Sequence, residues 1–337
     1  MARPDPLLIG ILLAGLALWI VFRLQTRIVL EDALITYRYA ENLARGAGFV
    51  FNPGERVLGT STPLLTLLLA GCGALFGVGR IPLCSNALML AAALGTGWLL
   101  HDLLLRGTRS KLIALAAVAL WVVHPDTLWT TTGGMETPLM LLLMAGSLDL
   151  ALRERWHAAA ACAGLLVLTR VDGAVWAALL LGAAVMRLRG RALWPILTGL
   201  AVVLPWVVFA WLYFGSPVPY AIVAKREIVF NVTINHLAWV LDSLGFKFST
   251  DRTPVEFALW LTFVLLGALT FLFKPGCPRV LRVIVAFTIL FPAALVLGRA
   301  PVFDWYLIPL TWCALVLGVQ GAFTLGEWLR RAVTGQA

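Results

Sequence analysis

The chain of 337 residues is 61% apolar by the set AVILMFWYC and only 13% charged, with a net charge of +9 and a mean hydropathy of +0.92. Soluble domains carry charge at about twice that level, so this composition excludes a soluble globular enzyme, and with it disordered, collagen-like and coiled-coil chains. Its apolar residues suffice for about ten crossings of about 20 residues each, which predicts an all-α polytopic membrane protein.

Apolar runs occur at 7–24, 64–79, 82–105, 111–129, 138–151, 156–169, 173–186, 192–214, 255–273, 280–298 and 306–326. The first lacks a small-residue cleavage site and reads as a retained span. The second opens at Pro63 after Ser61 and Thr62, but Gly71, Gly73, Gly77 and Gly79 erode it, so it reads as a re-entrant or interface-lying helix. With that run kept from crossing, one side takes the N-terminus with Arg3 and Asp5 and the turns from Arg106, Arg109 and Lys111 to Arg330 and Arg331, and holds fourteen cationic and five acidic residues. The rest of the chain holds twelve of each. The whole net charge then lies on the cytoplasmic side, as the positive-inside rule requires. The reading is ten spans with both termini cytoplasmic, one membrane domain over 1–337, and external loops at 27–81 and 215–253. Five scattered cysteines show neither disulfide nor zinc spacing and read as small core residues.

The external stretch 27–62 is the longest polar segment. It opens on Glu31 and Asp32 and continues as an amphipathic juxtamembrane helix to Arg45. Arg38, Glu41, Asn42 and Arg45 share one face, Ile35, Tyr39 and Leu43 another, and Gly46 and Gly48 end it. Asp32 is either an N-cap or a carboxylate placed to take a proton from an acceptor hydroxyl. Phe49-Val50-Phe51 leads into a tight turn at Asn52-Pro53-Gly54.

The runs 156–169 and 173–186 are about 21 Å long at the helical rise, against a hydrocarbon core of about 30 Å. Their junction, Thr169-Arg170-Val171-Asp172-Gly173, therefore falls below the membrane surface, where charged, bent backbone survives in a protein-walled or watery cavity. Arg170 and Asp172 are site candidates on that ground; the alternative is a plain Arg–Asp pair clipping two helix ends. Lys225 and Arg226, after the rigid Ser216-Pro217-Val218-Pro219 exit, are further cations for a phosphate, with lipid headgroup contact as the alternative. Tyr37, Arg38, Arg299 and Asp304 complete the cavity candidates. His124-Pro125-Asp126 and the Asp304-Trp305-Tyr306 stretch also read as span-end structure.

The run from Glu31 to Leu64, with Gly133-Gly134-Met135-Glu136-Thr137-Pro138 and Thr169 to Gly173, resembles the GT-C glycosyltransferases, above all bacterial relatives of arabinofuranosyltransferases and protein mannosyltransferases. The resemblance implies a GT-C fold and transfer, with inversion, of a sugar from a polyprenyl-phosphate carrier to a glycan, lipid or protein acceptor. The site would face the periplasm or cell exterior from the cytoplasmic membrane. It also implies that Asp32 is the general base, Glu136 a second acid of the next external loop, and Arg170 a ligand of the carrier phosphate. Many relatives carry two Asp where this chain has Glu31-Asp32, so Glu31 remains a second candidate for the base. Glu31, Asp32 and Glu136 could hold Mg²⁺ or Mn²⁺ if they converge, and the site also works without metal. Partners are the lipid-linked donor, the acceptor and the bilayer, with no nucleic acid. A lipid-linked sugar flippase and a non-catalytic GT-C-like assembly subunit are the alternatives; the first is disfavoured because no paired broken helices recur in two halves.

Overall fold

The computed structural model describes residues 5–222, 254–297 and 303–335. The described helices follow the apolar runs of the sequence closely: α1 (Pro6–Thr26), α2 (Glu31–Ala44), α3 (Pro63–Phe76), α4 (Ile81–Thr108), α5 (Lys111–Val123), α6 (Pro125–Thr132), α7 (Thr137–Leu152), α8 (Trp156–Thr169), α9 (Gly173–Leu188), α10 (Leu193–Phe214), α11 (Pro254–Phe273), α12 (Arg282–Leu297) and α13 (Asp304–Thr334). No strand occurs among the described residues. The protein is a helical polytopic membrane protein.

Six segments are each long and apolar enough to cross a bilayer, seven if a bent pair counts as one. One of them, Gly173–Phe214, has 42 residues. That is about 63 Å if straight, twice a hydrocarbon core. It is interrupted at Arg189, whose φ of 54° breaks the helix and divides α9 from α10. The bent pair corrects the continuous run expected at 111–129. Pro125 disfavours helical backbone at the preceding residue, His124 adopts an extended conformation, and α5 and α6 meet at 60°. The Asp126 amide donates to His124 Nδ1 across that break. Helices α3, α7 and α8 are shorter apolar helices. Pro63 starts α3 at its first turn and Gly77, at φ 91°, ends it, which keeps it to 14 residues.

The packing falls into two compact units. One comprises the described parts of Met1–Gly15, Gly97–Thr127 and Val232–Ala337. Its centre is α13, buried without interruption from Leu307 to Gly321. Gly267 and Gly321 let α11 and α13 approach until a Cβ at either would run into carbonyl oxygen of the other helix. At the start of the chain Lys111 Nζ sits 2.8 Å from Asp5, which lowers the Asp5 carboxyl from its ordinary value.

The other unit comprises Leu16–Thr96 and Leu128–Asn231, the latter described to residue 222. Here α8 packs between α7 and α10, α9 follows α8, and α2 lies on α3. Trp176 of α9 is fully buried and donates its indole N–H to Ser147 of α7 at 3.0 Å, giving a large ring inside the bundle its polar partner. The loop after α2 has no regular structure yet is fastened at several points. Asn42 Nδ2 donates to the carbonyls of Val50 and Phe51 at 2.9 and 2.7 Å. The Tyr39 hydroxyl donates to Val57 O at 2.6 Å and accepts from the Gly59 amide at 2.8 Å. Phe49 and Leu58 pack with Tyr39 on Ala210, Trp206 and Phe214 of α10. At the turn the Glu55 amide reaches Asn52 O at 3.1 Å, with Gly54 at φ 92° supplying the left-handed position after Pro53.

Candidate active site

The site is built in the second unit from four chain segments. Leu30, an extended residue, is the N-cap of α2, and no side chain caps the helix. Asp32 is thus the second helical residue and its carboxylate makes no capping bond, which removes the capping explanation for an acid at this position. It is half-buried, while Glu31 is exposed.

The start of α2 is tied to the loop before α7 by the Leu30 amide, which donates to Gly133 O at 3.0 Å. That loop turns at Gly134, whose φ of 83° an L side chain rarely adopts; a Cβ there would also strike the Tyr37 hydroxyl. Tyr37 is buried, its hydroxyl a long 3.5 Å from Gly134 O, and Ser85 of α4 donates to the same carbonyl at 3.0 Å. Burial pushes the Tyr37 phenol up, opposed by Ser85 and by the nearby charge of Arg23.

Two residues beyond Gly134 the chain places Glu136, buried, as the N-cap residue of α7. Arg170 follows α8 in extended conformation, at φ −153° and ψ 136°, and this turns its side chain across the short break to α9. Gly173 permits the tight return, since a Cβ there would press on Leu166 at 2.9 Å. The buried Arg170 guanidinium grips Asp172 with a two-bond fork, Nε to Oδ1 at 3.0 Å and Nη2 to Oδ2 at 2.7 Å, and stands 3.7 Å from Glu136.

Burial raises the Glu136 carboxyl above its ordinary 4.5; Arg170 pulls it back, and the charges of Asp172 and Asp32 push it further up. Asp32, Glu136, Arg170 and Asp172 therefore share one electrostatic neighbourhood although up to 140 residues separate them in sequence. Arg38 is directed elsewhere, to Phe51 O at 3.3 Å and Glu41 at 3.5 Å. Asp304 is exposed at the first turn of α13, in the first unit. Lys225, Arg226 and Arg299 lie outside the described residues. No group of three or more His, Cys, Asp or Glu side chains is arranged to hold a metal ion among the described residues.

Sequence reasoning overlooked three contributors: Ser85, Gly134 as the turn that brings Glu136 inward, and Arg23 in the last turn of α1. The first carries no motif. The Gly133-Gly134 pair was a visible signal for the second. An arginine near the end of an apolar span was a visible signal for the third.

This arrangement is that of a chain similar to a known glycosyltransferase. The terminal β-(1→2)-arabinofuranosyltransferase of Mycobacterium tuberculosis is 28% identical to it over 271 residues, covering 72% of this chain and 40% of the relative. The chain thus matches about two fifths of the length of that curated relative. No family model matches the chain, and no solved structure matches it significantly.

Proposed function

We propose that the protein is an integral membrane glycosyltransferase that moves a sugar, as an arabinofuranosyl or related residue, from a polyprenyl-phosphate carrier to an acceptor hydroxyl outside the cytoplasm. The observation that carries this reading is the gathering of a carboxylate that caps no helix, Asp32, with the buried Glu136 and Arg170 and the half-buried Asp172 beside a turn fixed by Gly134. The similarity to an arabinofuranosyltransferase supports the reaction class, and the concentration of positive charge in the turns of the opposite face supports the sidedness.

In this reading Asp32 accepts the proton of the acceptor hydroxyl as its oxygen attacks the anomeric carbon. The bond from that carbon to the carrier phosphate breaks, and the phosphate leaves on the lipid. One displacement from the face opposite the leaving group inverts the anomeric configuration. The half-buried position of Asp32 suits a base that must be reached by substrate yet partly shielded from water. Glu136 and Asp172 hold the Arg170 guanidinium in one orientation, so that its charge acts on the reacting phosphate without reorganisation.

The test is transfer by the purified chain in detergent or vesicles, supplied with polyprenyl-phosphate arabinofuranose, mannose or glucose and an oligosaccharide acceptor. Product of inverted configuration with wild type, and none with Asp32→Asn, supports the proposal. Movement of the lipid-linked sugar across vesicles with no glycosidic product would overturn it in favour of a flippase.

A further inference from the structure

Among the described residues, Arg23 is a guanidinium without a charge partner. It lies in the last turn of α1, its Nε is buried without a hydrogen-bond partner, and no ion pair engages it among the described residues. A guanidinium offers five donors and cannot shed its charge, so a desolvated N–H with nothing to bond is costly unless a ligand meets it. Arg38 and Arg45 of the α2 segment pair with Glu41, and Arg170 at the end of α8 pairs with Asp172 and Glu136.

Its position is defined from two sides. The neighbouring Phe22 packs edge-on against Trp129 of α6, with ring centroids 6.3 Å apart. Its charge is felt at the Tyr37 hydroxyl, which a short turn separates from Glu136. Asp32, Glu136 and Asp172 set three carboxylates beside the guanidinium of Arg170, an excess of negative charge that a second cation would offset for a bound phosphate. Next to Arg23 in α1, the side chains of Ile20, Val21 and Leu24 are exposed. An anion bound to Arg23 would have an apolar wall for a hydrocarbon tail.

We propose that Arg23 is a ligand for the phosphate of the polyprenyl carrier, seated at the end of α1 with the isoprenoid chain running along Ile20, Val21 and Leu24. The inference rests on the proposed transferase function. It identifies the anion by its chemistry, a phosphate ester with a long apolar chain, which a bulk phospholipid headgroup could also supply.

The experiment measures undecaprenyl phosphate binding to the full chain in detergent, for wild type, Arg23→Gln and Arg23→Lys, with phosphatidylglycerol and inorganic phosphate measured alongside. Melting temperature establishes that each variant is folded. Loss of one charged hydrogen bond should weaken undecaprenyl phosphate binding by about tenfold or more in Arg23→Gln, with partial recovery in Arg23→Lys, and leave phosphatidylglycerol binding unchanged. In turnover the KM for the lipid donor should rise while kcat holds. Undecaprenyl phosphate binding equal to wild type in Arg23→Gln overturns the proposal, and an equal loss of phosphatidylglycerol binding overturns it in favour of headgroup contact. Wild-type transfer with an unchanged Arg23→Gln KM refutes the role of Arg23 alone. Absence of wild-type transfer from every polyprenyl-phosphate sugar refutes the transferase reading instead.

Discussion

Arg170 Nη1 stands 3.7 Å from Glu136 Oε1, with both side chains less than a tenth exposed. This is a contact of charges beyond hydrogen-bond length, and the short bonds of the guanidinium go to Asp172. The buried acid is thereby left sensitive to protons and the arginine fixed in place, and different measurements read these two consequences.

Glu136 should impose a pH dependence on stability. Its folded pKa is raised above about 4.5, so between that value and the folded one the native state holds a proton that the unfolded chain has released. Stability is then greatest below the unfolded pKa and falls as pH rises through the window. Glu136→Gln cannot ionise and should lose that slope. Melting temperatures of both proteins in detergent across pH 4 to 8 check it.

Truncating Arg170 should be costly because it strands buried acid. Arg170→Ala is expected to lose about 3 to 5 kcal/mol, less whatever Glu136 recovers by taking a proton. Asp172→Ala should lose less, since Glu136 remains beside the guanidinium. The double variant should recover part of the sum, with a coupling of about 0.5 to 3 kcal/mol in a cycle of denaturation measurements.

Asp32→Asn should leave the melting temperature near wild type, because the side chain caps nothing. Transfer should fall by about 10² to 10⁴ with loss of the proton acceptor. Glu31→Gln should be milder, as Glu31 is exposed. Reversed effects in the transfer assay would make Glu31 the base.

Gly134→Ala should destabilise by about 1 to 2 kcal/mol from backbone strain alone, and more from the collision with the Tyr37 hydroxyl. Adding Tyr37→Phe removes the collision but not the strain. Thermal unfolding of the single and double variants should therefore show partial, not complete, recovery.

The proposed sidedness rests on the charge distribution and can be labelled directly. In a cysteine-free background, cysteines at Glu55 and Arg80 should react with an impermeant reagent on intact cells, while cysteines at Arg109 and Arg189 should be protected. Labelling at Arg80 only after lysis would mean that Pro63–Phe76 crosses the membrane.

The helices were legible in the sequence wherever composition changes sharply. Trp156–Thr169 coincides with its apolar run because Arg155 and Arg170 bound it, and Gly173 opens the next helix where the sequence placed it. The break at His124 was legible as a span end at His124-Pro125-Asp126, but the bend into a second short helix was not, because the apolar run continues to residue 129. The partners of Arg170 were harder to read. Asp172 was visible two residues away, but the fork depends on an extended backbone at Arg170, and Glu136 arrives from 34 residues upstream through the turn at Gly134. Hydrophobic periodicity reports which face of a helix is buried and carries no information on such long-range polar meetings.

The bonds from Tyr39 and Asn42 to the segment between Phe49 and Gly59 have a kinetic meaning. A loop held by four hydrogen bonds from one helix and by rings packed on another has surrendered its conformational freedom during folding, before any sugar arrives. A ligand docking on this surface would meet a preset mould and forfeit little entropy of loop ordering, so its association should not wait on closure of this loop. Amide exchange at Gly59 should accordingly be slow in the unliganded protein and change little on saturation with acceptor.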